Sequence, residues 1–300
     1  MSDSPARLAD PNGVVLAVDV GGTKLAVGIV SGTGALLWRE QASTPTGDGE
    51  QIWDALAGLV GSALDEYSNP VAVGVGCGGP MTGGGDVVSP LNIEGWRDFP
   101  LRARLARLVG RPTTVDNDAK ALALAEGWVG AAVGQRDYLA MVVSTGVGGG
   151  LVSGGRLLDG ASGNAGHIGH VMVVPDGRRC ACGAHGCLEA EASGSAISAI
   201  TGADPADAGI DIRRRTGRLV GQAVASVANL LDLRLAVVAG SVALGYGEDF
   251  FSAAQAELDR SARLDFSSGA RIVPAGLGPD GPLIGAAAVA LHRGTLDTAR

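Results

Sequence analysis

Two stretches constrain this chain more than any others: VVLAVDVGGTKLAVGIV (14–30) and YLAMVVSTGVGGGLVSGG (138–155). Each is a short β-branched run, broken by a glycine-rich turn and resumed by a second apolar run. Each therefore reads as a strand, a tight turn and a second strand. Two such hairpins about half a chain apart point to an internal duplication. A chain of 300 residues is also longer than one hydrophobic core usually serves, so two compact α/β domains are expected. Glycine, at 49 of 300 residues against a usual share of about 7%, has no collagen-like period and instead supplies tight turns.

Between and after the hairpins the pattern alternates. Ile52, Leu56, Leu59, Val60 and Leu64 recur at helical spacing over 50–67, and Asn69-Pro70 then opens the strand VAVGVGC (71–77). Pro112 introduces a strand at 113–115, with Asp116-Asn117-Asp118 at its end and an Ala-rich helix over 119–131. Polar side chains at the carboxyl end of a strand, beside a helix start, are where open α/β sheets place their sites. A helix over 213–231, a strand over 235–240 and a last apolar helix over 282–291 complete the succession. The run Arg213 to Arg215 reads as a solvated helix face without a function. The expected division is 1–117 plus 285–300 for a smaller lobe and 118–284 for a larger one.

Composition excludes several classes. With 23 basic and 31 acidic residues the net charge is -8, which disfavours nucleic-acid partners. No run reaches the roughly 18 apolar residues of a membrane helix, despite a positive mean hydropathy. The first residues, MSDSPARLADPNG, lack the basic start and apolar core of an export signal. A cytoplasmic protein without membrane partners and without disulfides is expected.

The turn Asp19-x-Gly21-Gly22-Thr23-Lys24 has the chemistry of a phosphate cradle. Glycine lets backbone amides approach phosphate oxygens, and a carboxylate at the strand end can hold a hydrated Mg2+ that also binds substrate phosphates. It is not a Walker A sequence, because the GxxxxGK[ST] spacing is absent. The turn Ser144-Thr145-Gly146 repeats the logic with hydroxyl donors, and Gly240-Ser241 after a buried strand offers a further close approach. Taken singly, each is compatible with ordinary turn chemistry. Together they describe a nucleotide held in a cleft between duplicated lobes.

The motifs DVGGTK (19–24), GCGGP (76–80), DND (116–118), STGVGGG (144–150), GHIGH (166–170), CACGAHGCLE (180–189) and VVAGS (237–241) resemble, in order, those of the ROK family of sugar kinases and repressors. The resemblance implies an α/β fold of two duplicated ribonuclease-H-like lobes, of the actin and hexokinase type, with an interlobe cleft. It implies transfer of a phosphoryl group to the 6-hydroxyl of a hexose or hexosamine. ATP with Mg2+ is the expected donor, although relatives also use polyphosphate, and a homodimer or homotetramer is the expected assembly. Asp118 resembles the family's general base; its bland reading is a cap on the helix that follows. Asn117, Gly79, His170 and Glu189 resemble sugar-contacting residues. Asp19, Gly21, Gly22, Thr23, Lys24, Thr145, Gly146 and Gly240 resemble the phosphate and nucleotide contacts.

Three of the four cysteines fall within eight residues. His170, Cys180, Cys182 and Cys187 offer the donor set, one nitrogen and three sulfurs, of a closed, structural Zn2+ site. His185 is a rival nitrogen ligand, and the resemblance selects His170. The spacing is not the CxxC of a thioredoxin-like redox pair. His167 departs from the family's usual Glu at the first position of its motif. Bacterial N-acetylmannosamine kinases of the family resemble this sequence here, and His167 is expected to adapt the pocket near C1 and C2 to a different substituent, such as an acetamido group. Two alternatives are a sugar-responsive transcriptional regulator and a non-catalytic sugar sensor. The first needs a winged helix-turn-helix ahead of the first hairpin, where about a dozen residues stand. The second conflicts with an intact Asp118 and two intact hairpins.

Overall fold

The computed structural model describes residues 13–292; the N-terminal stretch read as unlike an export signal lies almost wholly outside them. In chain order the first elements are β1 (Val14–Val20), β2 (Lys24–Ser31), β3 (Leu36–Ser43), α1 (Gly49–Glu66), β4 (Ala72–Cys77), α2 (Leu101–Val109), β5 (Thr113–Asn117) and α3 (Asp118–Val129). They continue with β6 (Tyr138–Val143), β7 (Val147–Ser153), β8 (Arg156–Leu157), α4 (Leu188–Ala192), α5 (Gly194–Thr201), α6 (Ile210–Leu231), β9 (Leu235–Ala239), α7 (Ser241–Tyr246), α8 (Glu248–Ser261), β10 (Arg271–Pro274) and α9 (Gly281–His292).

Two sheets result, ordered β3-β2-β1-β4-β5 and β8-β7-β6-β9-β10. In each, the hairpin pairs are antiparallel and the last two strands add parallel to the first. The duplication expected from the two hairpins is therefore a duplication of whole sheets, each with ribonuclease-H-like strand order.

The first unit comprises the described residues up to 129, the short segment 159–164, and those from 279 onward. Strand β1 is central and nearly all buried, as a continuous β-branched run with neighbours on both sides should be. Helix α1 starts because Asp48 accepts hydrogen bonds from the amides of Glu50 and Gln51. It then buries Ile52, Leu56, Leu59, Val60 and Ala63 against Leu16, Val18, Val73 and Val75 of the sheet. On the other face, Val15, Ala17 and Val30 meet Leu283, Ala286 and Ala287 of α9. Small residues permit this approach: a side chain at Gly74 would overlap the Ala286 carbonyl.

The expected boundary near 117 moves to 129/130, and the return near 285 moves to 278/279. Helix α3 stays with the first unit because its Ala-rich surface is buried from Ala119 to Ala125 and lies close on α9. There a Cβ at Gly285 would meet the Ala121 carbonyl at 2.9 Å.

The second unit comprises residues 130–158 and 165–278. Its core joins Leu139, Met141, Val143, Val220, Val224, Val238, Phe250 and Leu258, with α6 and α8 covering the sheet. Among the described residues no helix is long and apolar enough to cross a membrane.

Candidate active site and metal centre

In the first unit the parallel strands β1, β4 and β5 run in register, so that Asp19, Gly76 and Asp116 stand side by side, followed by Val20, Cys77 and Asn117. The polar groups thus collect at the carboxyl ends of the strands. Gly76 separates two acids: a Cβ there would lie 3.8 Å from the Asp118 Cα and 3.9 Å from the Asp19 Oδ1. Burial, and next the charge of Asp118, push the Asp19 carboxyl up from 3.8 to about 7, with Lys24 opposing. Burial and the same two carboxylates push the Cys77 thiol up.

The Ala119 amide donates to Asn117 Oδ1 at 3.0 Å and to Asp118 Oδ1 at 2.8 Å. The capping bond is therefore that of Asn117, two residues back, whereas Asp118 stands inside the first turn and meets only the next amide. Asn117 Nδ2 lies 3.8 Å from where a Cβ at Gly79 would be, so the two sugar-contact candidates of this unit are neighbours.

The first hairpin turn is closed by a hydrogen bond from the Gly21 amide to the Lys24 carbonyl, 2.9 Å. Thr23 and Lys24 are exposed. Gly22 has a reason beyond phosphate approach, since a Cβ there would come within 2.5 Å of the Asn92 Cβ. A single Asp19 carboxylate beside this turn matches what Mg2+ with a phosphate ligand needs.

Lys120, one turn into α3, is 2% exposed, a burial that nothing in the local sequence announces. Its Nζ donates to Asp159 Oδ1 at 2.8 Å and to the Gly163 carbonyl at 2.9 Å, with Asp116 at 3.9 Å. It ties the segment 159–164 to the Asp116-Asn117-Asp118 turn.

In the second unit the turn Ser144-Thr145-Gly146 is held from several sides. Gly194 and Ser195 donate their amides to the Ser144 and Thr145 carbonyls at 2.7 and 3.2 Å. Ser195 Oγ donates to the Thr145 carbonyl at 3.0 Å, and Ser144 Oγ and Ser241 Oγ are 2.9 Å apart. The first amides of α5 are thus spent on the hairpin. Gly240 has a φ of 101°, and a side chain there would overlap the Val143 backbone, so only glycine serves at that strand end. Beside this turn lies a cavity of about 430 Å3, lined by Thr145, Ser195, Asp204, Ser241 and Tyr246 among others.

The GHIGH turn explains itself by packing. Gly166 (φ 101°) and Gly169 press against the backbone of β7 at Gly149 and Val147, and Ile168 is buried. His167 and His170 are both exposed, their rings 6.2 Å apart and 15° from parallel.

His170, Cys180, Cys182 and Cys187 place their ligand atoms within 4.8 Å of one another. His170 Nδ1 is 3.7 Å from Cys180 Sγ, and Cys182 Sγ is 3.7 Å from Cys187 Sγ. Zinc–sulfur bonds of about 2.3 Å in a tetrahedron require ligand separations near ~3.8 Å, so the residues fit this ion. All four cysteines are free thiols. The rival His185 turns its Nδ1 to the Gly177 carbonyl at 3.1 Å.

Glu189 follows in α4. Its Oε2 accepts a hydrogen bond from the Val147 amide at 3.0 Å. The arginine run also departs from expectation. Arg215 donates to buried Glu191 at 2.5 Å, Arg213 lies over the Tyr246 ring, and Arg214 faces Asp249 at 3.6 Å. Only tertiary packing supplies these partners.

Two ribonuclease-H-like lobes, with glycine turns at the ends of their first strands and a knot of one histidine and three cysteines in the second, define the class of fold. Comparison with known proteins narrows it. The ROK family profile matches residues 15–293. An N-acetylmannosamine kinase from Escherichia fergusonii is 38% identical over 248 residues, 77% of this chain and 84% of that protein. The ROK hexokinase of Thermus thermophilus superposes with a TM-score of 0.79 at 35% identity, over 92% of this chain and 97% of that one. A ROK glucokinase from Streptomyces griseus, solved with glucose and AMPPNP, has a TM-score of 0.79 at 32% identity, over 92% and 98%. The chain belongs to the ROK family.

Proposed function

We propose that this protein is an ATP-dependent sugar kinase that phosphorylates the 6-hydroxyl of a hexosamine, N-acetylmannosamine being the favoured acceptor. The observation that carries the reading is Asp118, at the carboxyl end of three parallel strands and across Gly76 from Asp19. Asp118 orients the attacking hydroxyl and accepts its proton as the phosphoryl group arrives, which is nearly all that a loose phosphoryl-transfer transition state asks of a base. Asn117 and Gly79 contact the same sugar, the amide of Asn117 serving hydroxyls as donor and acceptor.

The turns at 21–24 and 144–146 cradle the phosphates. The cavity beside Thr145 and Ser241 has room for a nucleoside, which supports ATP over polyphosphate. Mg2+, held by Asp19 and the phosphates, would supply charge neutralisation. Zn2+ on His170, Cys180, Cys182 and Cys187 would fix the loop, having no open position for chemistry. Glu189, His170 and His167 bind sugar hydroxyls and the C2 substituent. An imidazole N–H can donate to an acetamido carbonyl, as a carboxylate cannot. The kinship with N-acetylmannosamine kinases at 38% identity supports this acceptor.

The test is a coupled assay with glucose, mannose, N-acetylglucosamine and N-acetylmannosamine, each with ATP and with polyphosphate. The highest kcat/KM is expected for N-acetylmannosamine with ATP. Preference for glucose overturns the acceptor, and no turnover with any sugar overturns the kinase.

A further inference from the structure

We propose that Glu191 and Arg215 form a latch that positions the cysteine loop and, through α4, the sugar-facing Glu189. The proposal rests on the kinase reading above.

Glu191 is 2% exposed, an uncommon state for a carboxylate unless it is fully partnered. Its Oε1 accepts the backbone amide of Arg178 at 2.7 Å, and its Oε2 accepts from Arg215 at 2.5 Å. Arg215 also donates to the Glu191 carbonyl at 2.7 Å. The guanidinium therefore grips both the backbone and the side chain of one residue, which its planar fork suits and a lysine ammonium does not.

The amide so held lies at the base of the loop. Arg178 also accepts, at its carbonyl, the Gly186 amide at 2.9 Å, so both its backbone groups are fixed next to the residues that flank Cys180 and Cys187. Gly177 makes the entry possible, since a Cβ there would meet Glu191 Oε1 at 2.5 Å. The loop carries glycines at 177, 183 and 186, so ordering it costs more conformational entropy than usual. The latch offsets that cost before any ion binds.

Glu189 and Glu191 stand two residues apart, about 200° around a helix, and leave α4 on opposite sides. One reaches the Val147 amide at 3.0 Å; the other reaches the loop and α6. Helix α4 has only five residues, too few to hold its own direction. The latch holds it, and the orientation of Glu189 follows.

The experiment compares wild type with Glu191→Ala, Glu191→Gln and Arg215→Met in three readouts. Zinc release to a chromogenic chelator should accelerate about tenfold or more, the usual size of an outer-shell effect. The sugar KM should rise about fivefold or more with kcat within about twofold, a split that simple loss of folded protein does not produce. In metal-stripped protein, amide exchange across 176–187 should accelerate in the variants. Glu191→Gln keeps the side-chain volume and serves if Glu191→Ala does not fold.

Unchanged zinc release and exchange overturn the latch. Faster release with unchanged sugar KM overturns its action on Glu189. Wild type that binds no zinc overturns the metal reading, and the latch is then decided by exchange and sugar KM.

Discussion

The Glu189 carboxylate accepts a hydrogen bond from the amide of Val147 at 3.0 Å, joining the helix after the cysteine loop to the second glycine hairpin. A Cβ on Gly146 would stand 3.0 Å from the same oxygen. The residue proposed to face the sugar is thus seated on the turn proposed to hold phosphate.

Gly146→Ala tests that seat. The atom the new methyl would meet is the end of a flexible side chain, so the fold should lose less than about 1 kcal/mol, within the usual range of an accommodated small-to-large change. Glu189 must shift, and the sugar KM should rise several-fold. Urea unfolding and acceptor kinetics check the two halves.

Asp118→Asn keeps the shape and the acceptor for the Ala119 amide, but cannot take a proton. Turnover should fall by about 10^3, within the range for loss of a general base, while sugar binding by calorimetry changes little. Near-normal turnover removes Asp118 from the chemistry.

Asp19 gives a pH dependence whose sign is fixed. Its carboxyl ionises at about 7 in the folded chain against an ordinary 3.8, so the folded state binds this proton more tightly than the unfolded one. The stability it contributes is full below about pH 4 and is lost as pH rises through about 7. Asp19→Asn should flatten the fall in unfolding free energy across that window. An unchanged slope in urea titrations at about pH 5 and about pH 8 counts against it.

Lys120→Met should loosen the segment 159–164, because it removes the donor to Asp159 and Gly163 and a cation 3.9 Å from the carboxylate of buried Asp116. Breaking a buried pair from one side costs about 3 kcal/mol. Lys120→Met with Asp116→Asn should recover part of the loss, and a double-mutant cycle on unfolding midpoints measures it.

Local patterns account for what is legible in the sequence. Hairpins β1-β2 and β6-β7, helix α1 and the cysteine knot announce themselves through turn residues, apolar periods and donor spacing. Strand β3 does not, because LLWREQAS is largely exposed, as an edge strand is, and three of its eight side chains are charged or amide groups. Helix α2 has a signal in Leu101 and Leu105 on one face and Gly110 in the left-handed region behind it. Helix α3 is legible as a helix but not as part of the first lobe, since its Ala surface carries no hint of which partner covers it.

By itself the sequence determined the duplicated α/β design, the order of the motifs and the three sulfur donors Cys180, Cys182 and Cys187. All of these depend on residues near one another in the chain. Tertiary structure alone decided that Asp19 lies across Gly76 from Asp118, that Lys120 is buried on Asp159, and that Arg215 closes on Glu191 rather than facing water. These partners are 24 to 99 residues apart in sequence. Burial raises the cost of leaving any such group unpaired, and which partner meets it is known only once the sheets and helices have packed.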